Sequence, residues 1–140
     1  MPTWIMTADR AGARIFGRDG SELLLIEEIN HEEGKLQDSA LGSDAPGRSY
    51  DSAKPGRHAL GQSESPHERI AADFARRLAH RLRDGRVHNQ FNRLVIAAEP
   101  SFLGLLRGAL DEQTRRLIIR TVPEHLQQMK PAELASHVLA

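Results

Sequence analysis

Residues 91–110 read FNRLVIAAEPSFLGLLRGAL, in which a strand pattern is followed at once by a helix pattern. The unbroken apolar run from Leu94 to Ala98 is typical of a central strand that is covered on both faces. Pro100 ends that strand, and Ser101 can cap the helix that follows. A buried strand leading directly into a helix indicates an α/β protein, in which helices cover a largely parallel sheet.

A long amphipathic helix is predicted before this stretch. Ser65, Pro66 and Glu68 form a start signal, because Ser accepts a backbone N–H, Pro suits the first helical position, and Glu closes a capping box. We expect the helix to end at Gly85, where glycine can adopt a left-handed cap. The apolar face holds Ile70, Phe74, Leu78 and Leu82, and the opposite face holds Arg69, Asp73, Arg76, Arg77, His80, Arg83 and Asp84.

The first thirty residues predict a three-stranded antiparallel meander. Strands are indicated at 3–8 and 13–16, and residues 9–12 between them have turn chemistry. The Asp-Gly pair at 19–20 predicts a second tight turn, since such turns favour glycine at positive φ. It leads into an apolar third strand at 23–29, which we expect to be partly buried on both faces.

The C-terminal part continues the alternation of helices and strands. We expect a short helical turn at 111–116, a second buried strand at 117–122 that ends at Pro123, and a last helix at 131–139. The predicted order is β-β-β, loop, α-β-α-β-α. This order predicts one α/β domain over residues 1–140, with a mixed sheet of about five strands whose later strands are parallel.

The composition excludes several classes of function. The 19 basic and 19 acidic residues leave no net charge to attract nucleic acid or an anionic membrane, so any attraction must be local. The absence of Cys excludes disulfides and thiolate chemistry. No apolar run resembles a signal peptide or approaches the roughly 20 residues of a membrane span, so we expect a cytoplasmic protein with no membrane partner.

The sequence carries no cofactor or metal motif. Neither Gly-x-Gly-x-x-Gly nor a P-loop occurs, and the seven histidines lack the spacing of a zinc site, so we expect no metal and no cofactor. Asp9 follows the first strand and Glu99 follows the central strand, so both could lie at one edge of the sheet, as a magnesium-dependent nuclease would require. The interpretation we favour is that both are ordinary loop acids.

Residues 31–65 predict a long flexible polar loop within the domain. Positions 38–66 contain no Val, Ile, Phe, Trp or Met. Such a segment cannot bury enough apolar surface to offset a backbone ordering cost of about 1–2 kcal/mol per residue. It is either an insertion without a role or a functional loop.

The loop and the helix after it together suggest a phosphate-binding surface. Basic side chains amid small residues, next to an arginine-rich helix face, could contact a phosphate backbone. The alternative is that the arginines form an ordinary solvated face. The candidate binding residues are Gly47, Arg48, Ser49, Arg57, Gly61, Gln62, Arg69, Arg76, Arg77 and Arg83.

Five segments in the same order carry a family resemblance. They are WIMTADRAGARIF at 4–16, PGRSYDS at 46–52, HERIAADFARRLAHRL at 67–82, FNRLVIAAEPSFLGLLRGAL at 91–110 and KPAELASHVL at 130–139. Together they resemble the bacterial host attachment proteins over nearly the whole chain. That family is in turn similar to the middle domain of archaeal and eukaryotic peptide-chain release factors and their ribosome-rescue relatives, which share three strands, a long exposed loop, then a helix and further strands.

The resemblance implies two hypotheses about function. The first is a non-enzymatic cytoplasmic protein that binds a ribosome, RNA (tRNA among the possibilities) or a protein partner through the loop and helix, with an indirect role in attachment to host cells. The second is a ribosome-rescue peptidyl-tRNA hydrolase, because release factors carry a Gly-Gly-Gln loop and this chain has Leu60-Gly61-Gln62. Leu60 replaces the first glycine, so the resemblance makes Gln62 only a candidate catalytic residue. The sequence specifies no oligomeric state.

Overall fold

The computed structural model of the protein describes residues 2–35 and 65–139. The elements in these ranges are β1 (Thr3–Asp9), β2 (Gly12–Asp19), β3 (Glu22–Asn30), α1 (Pro66–Val87), β4 (Arg93–Ala97), α2 (Pro100–Ala109), α3 (Glu112–Arg115), β5 (Ile118–Val122) and α4 (Pro131–Val138). The predicted order of strands and helices is confirmed. None of the helices in these two ranges is both long and apolar enough to cross a bilayer.

The five strands form one mixed sheet in the order β3-β2-β1-β4-β5. β1 pairs with β2, and β2 with β3, in antiparallel fashion. β1 pairs with β4, and β4 with β5, in parallel fashion. The predicted α/β class and the parallel arrangement of the later strands are therefore confirmed.

The helices cover the two faces of the sheet. On one face, α1 and α2 pack Phe74, Leu78, Leu82 and Phe102 against side chains of β1, β2 and β4. On the other face, Leu134 and Val138 of α4 pack against Ile5, Phe16 and Val95. Each fully buried aliphatic or aromatic side chain contributes about 1.5–3 kcal/mol relative to an exposed one. The continuous apolar run of β4 is thus explained by burial on both sides.

The two edge strands are less buried than the sequence suggests. β5 was expected to be a buried strand, and this was wrong, because Ile119 is 57% exposed and only Val122 of the strand is buried. β3 likewise leaves Leu24 and Leu25 about half exposed. An apolar run indicates a strand but does not show whether that strand lies in the middle of the sheet or at its edge.

The helix starts follow capping chemistry, with one correction. The Oγ of Ser65 accepts the N–H of Glu68 at 3.1 Å, as predicted for α1. For α2 the predicted cap, Ser101, was wrong. The cap is Glu99, whose Oε1 accepts the N–H of Phe102 at 2.7 Å. Because Pro100 occupies the first helical position, the capping residue must lie before it.

Gly85 does not end α1, contrary to the sequence prediction. The helix continues to Val87, and Asn89 is the residue with positive φ, at 58°. A Cβ on Gly85 would lie 2.8 Å from two ring carbons of Trp4 and 3.1 Å from Phe91. Glycine stands here because the helix backbone lies directly against the tryptophan ring.

The chain leaving β3 is held against the first turn of the sheet. Residues 32–35 form a helical turn. His31 before it is buried, its Nδ1 lies 2.7 Å from the carbonyl oxygen of Arg10, and its ring stacks on Phe74 at 4.1 Å. A Cβ on Gly34 would overlap the same carbonyl oxygen. The rest of the predicted 31–65 loop, from 36 to 64, lies outside the described residues.

We predict that Gly85→Ala destabilises the protein even though alanine favours helices. The added methyl group must displace Trp4, and overpacking of this kind costs about 1–3 kcal/mol. Gly104→Ala in α2 is the matched control, because its Cβ would meet no atom within 4 Å and should stabilise the helix by about 1 kcal/mol. Urea unfolding of both variants measures the two effects. Equal free energies of unfolding would contradict the role of Gly85.

Candidate functional site

Three arginines of α1 lie on one side of the helix and form what we call the arginine ridge: Arg69, Arg76 and Arg83. They are spaced seven residues apart, which is close to two helical turns, and all three are exposed. At 1.5 Å per residue the ridge is about 21 Å long. His80, also exposed, lies between the last two.

The ridge arginines are only weakly engaged by the described part of the chain. Within residues 2–35 and 65–139, Arg69 and Arg83 form no ion pair and no hydrogen bond through their side chains. Arg76 pairs with Asp73, but their side chains are 63% and 60% exposed. Such an exposed pair contributes only about 0–1 kcal/mol, so Arg76 can exchange its carboxylate for another anion at little cost.

Arg77 was predicted to belong to the binding surface, but the structure turns it away from the ridge. Its guanidinium lies over the Phe74 ring, 5.7 Å from the centroid, and its Nη1 is 3.5 Å from the carbonyl oxygen of Asn30. These contacts direct Arg77 toward β3. The structure therefore brings together three of the four predicted helix arginines.

A groove runs beside the ridge, between α1 and α2. Its larger depression has a volume of about 540 Å³ and is lined by Ala72, Arg76, Gly104, Leu105, Gly108 and Ala109. A second depression of about 240 Å³ continues toward His80 and Arg83. The larger depression is lined mostly by Ala and Gly residues, and the basic side chains that line the groove are Arg76, His80 and Arg83.

The groove was missed by sequence reasoning, although the sequence holds a signal for it. Gly104 and Gly108 lie four residues apart inside a helix, where each glycine costs about 1 kcal/mol relative to alanine. A Cβ at either position would meet no atom within 4 Å. Packing among the described residues therefore does not require these glycines.

Asp111 at the far end of the groove is already engaged. It caps α3, accepting hydrogen bonds from the backbone and the side chain of Thr114, and its Oδ2 lies 3.4 Å from Nη2 of Arg86. Burial opposes ionisation, but the Thr114 hydrogen bonds and the Arg86 charge outweigh it and lower the Asp111 pKa. The Asp111 charge is therefore largely balanced by Arg86.

Arg81 and Arg86, although on the same helix, have structural roles. Arg81 donates to Glu27 of β3 at 2.9 Å and lies over the Trp4 ring at 5.1 Å. Arg86 donates to the Thr114 hydroxyl at 3.0 Å. The sequence alone does not distinguish these two arginines from those of the ridge, because their partners are distant in the chain.

Another depression, distinct from the two that form the groove, lies at the carboxyl ends of β1 and β4. It has a volume of about 190 Å³ and is lined by Asp9, Arg10, Glu99 and His125. β1 and β4 are neighbouring parallel strands, and ligand sites in α/β proteins commonly lie at the carboxyl ends of such strands. Asp9 and Glu99, which the sequence analysis placed at one edge of the sheet, do line the same depression at these strand ends.

Both carboxylates are occupied by protein groups. Asp9 Oδ1 accepts the N–H groups of Ala11 and Gly12, and its Oδ2 lies 2.9 Å from Nε2 of His125. Glu99 caps α2 and accepts the Ser101 hydroxyl at 2.5 Å. The described residues contain no group of three or more His, Cys, Asp or Glu that could hold a metal. These contacts favour the interpretation of Asp9 and Glu99 as structural acids.

The predicted loop residues lie outside the described part of the chain. They are Gly47, Arg48, Ser49, Arg57, Gly61 and Gln62. The hydrolase hypothesis depends on Gln62 and therefore stays a prediction, while the arginine ridge and its groove are the candidate functional site.

We predict that Glu99 makes stability depend on pH. The Ser101 hydroxyl, foremost among its partners, lowers the Glu99 pKa in the folded protein. The stabilisation is therefore present above the ordinary carboxyl pKa and is lost as pH falls through the folded-state value. Glu99→Gln should cost about 1 kcal/mol at neutral pH and progressively less as the pH is lowered below the ordinary carboxyl range, measured by urea unfolding. Glu22→Gln, at an exposed carboxylate, is the control; a cost of Glu99→Gln that does not change with pH would contradict this role.

Comparison with known proteins identifies the family. The model for the family described as "Protein required for attachment to host cells" matches residues 4–138, which is nearly the whole chain. A search of the curated proteins found no significant match. The five segments that suggested this family in the sequence all fall within or at the border of the matched region. The chain therefore belongs to the family of proteins required for attachment to host cells.

Proposed function

We propose that this host attachment family protein is a non-enzymatic cytoplasmic protein that binds RNA, in the ribosome or in tRNA, through the arginine ridge and the groove between α1 and α2. The observation that carries the proposal is the presence of two exposed arginines, Arg69 and Arg83, without a partner in the described part of the chain and on the same side of one helix as Arg76.

The dimensions of the ridge suit a phosphate backbone. A nucleic acid strand carries about one charge per 3.4 Å of helix axis, so a ridge of about 21 Å runs past about six phosphates. Charges separated by more than the Debye length, about 8 Å at physiological salt, hardly interact in water. Each exposed arginine can therefore bind a nearby phosphate even though the whole chain has no net charge.

The groove allows the RNA backbone to approach closely. Gly104 and Gly108 leave open space beside Arg76, where side chains would otherwise stand in the way. All five aromatic residues in the described ranges, Trp4 and four Phe, are buried, so they offer no platform on which bases could stack. The contacts are therefore to phosphate and to backbone shape, and the binding has little sequence preference.

The resemblance to release-factor middle domains supports the ribosome as the source of the RNA. A protein that acts on translation would influence attachment indirectly, through the proteins that the cell produces. This route requires no contact between the chain and the host cell.

The proposal is tested by co-sedimentation with ribosomes and by direct RNA binding at several salt concentrations. With three phosphate contacts, affinity should fall about 40-fold between about 50 and 200 mM salt. The double variant Arg69→Glu/Arg83→Glu should bind at least about tenfold more weakly and lose most of this salt dependence.

Lys130→Glu is the matched control, because it also reverses the charge of an exposed side chain but lies at the start of α4 on the other face of the sheet. It should leave RNA affinity nearly unchanged. The proposal is wrong if the intact protein binds neither ribosomes nor RNA at low salt, or if the control and the ridge variant lose affinity equally.

A further inference from the structure

Among the described residues, β3 presents an apolar edge that no other strand covers. In the described part of the chain it pairs only with β2, and it ends the strand order. Three consecutive residues on it, Leu24, Leu25 and Ile26, are 54%, 53% and 48% exposed. Free strand edges are normally shortened, covered or interrupted by charges, because they form hydrogen bonds readily with other chains.

The three exposed residues lie on both faces of this edge. Leu24 pairs with Gly17 of β2, and the space over Gly17 is filled by Ile26, whose Cδ1 would lie 3.0 Å from a Cβ there. Leu25 pairs with Phe16, which belongs to the core on the α4 face. A strand added beside β3 would therefore find apolar side chains above and below it.

Acidic residues flank the apolar centre. Glu22 begins β3 and Glu28 lies near its end, and both are exposed. Glu27 is already paired with Arg81. Arg14 lies opposite Glu28 in the register and partly offsets its charge, while its Nη2 donates to the carbonyl oxygens of Leu126 and Met129. The edge therefore offers an incoming strand one exposed carboxylate at each end, of which Glu28 is partly balanced by Arg14.

A second copy of this chain does not match that pattern in the register that aligns the two apolar centres. Antiparallel pairing of two β3 strands about Leu25 places Leu24 opposite Ile26, but it also places Glu22 opposite Glu28 at both ends. Like charges directly opposite each other destabilise paired strands. The chain's own residues 38–66 are also unsuited, because Tyr50 is the single residue among them of the types that favour strands, and Val, Ile, Phe, Trp and Thr do not occur there.

We propose that the β3 edge binds an extended segment of a protein partner, with apolar or β-branched residues at its centre and Lys or Arg at its ends. The segment adds a sixth strand to the sheet, so that backbone hydrogen bonds provide affinity and the flanking acids select the partner. This interaction is separate from RNA binding, since β3 is not part of the arginine ridge or its groove.

The test begins with selection of random peptides displayed on phage, with the full chain immobilised. Selected peptides should share an apolar centre flanked by basic residues. Their affinity, measured by fluorescence anisotropy, should fall at least about tenfold in Leu25→Lys and in Glu22→Lys/Glu28→Lys, because rim charges and central apolar contacts both contribute. Ile119→Lys is the matched control, since Ile119 is 57% exposed on the opposite edge of the sheet.

Three outcomes would overturn the proposal. The first is that no such peptides are enriched, and the second is that Ile119→Lys reduces their affinity as much as Leu25→Lys does. The third is a concentration-dependent dimer in analytical ultracentrifugation that Leu25→Lys dissociates, because the occupant would then be a second copy. RNA affinity measured on Leu25→Lys separates this proposal from the previous one, and it should remain unchanged.

Discussion

The contact between α1 and β1 is the constraint on which the arrangement of the protein depends. The helix backbone at Gly85 lies against the Trp4 ring, which stacks on Phe91 at 4.7 Å between ring centroids. At the other end of the helix, Phe74 packs between His31 and Phe102. With both ends held, α1 cannot rotate about its axis, and its arginine ridge must face outward.

The same packing divides the surface of an electrically neutral chain into two regions. The exposed side of α1 carries the arginine ridge, while β3 at the end of the sheet carries Glu22 and Glu28 around an apolar centre. The Arg81–Glu27 ion pair lies between the two regions and joins helix to strand. The charges of this neutral chain are therefore unevenly distributed, with exposed arginines along α1 and two exposed carboxylates on β3.

Much of the fold could be predicted because its determinants are local. The Ser65 cap, the Asp19-Gly20 turn and the apolar run of β4 act within a few residues, and each prediction was confirmed. The predictions that failed concern the burial of β5, one glycine and one helix cap. Gly85 was assigned to a helix end although its role is contact with Trp4, and Ser101 was assigned a cap that Glu99 provides. A sequence does not show whether a glycine ends a helix or makes room for an aromatic ring from a distant part of the chain.

The sequence by itself determined the element order, the α/β class and the family resemblance, because periodicity, turn residues and motif order are properties of neighbouring positions. Tertiary structure alone decided which arginines contact other elements of the fold, since Arg77, Arg81 and Arg86 are directed to partners on β3 or around α3. It also decided that the groove floored by Gly104 and Gly108 lies beside the ridge. Such pairings depend on how helices pack across the sheet, and residues distant in the chain meet only in the folded protein.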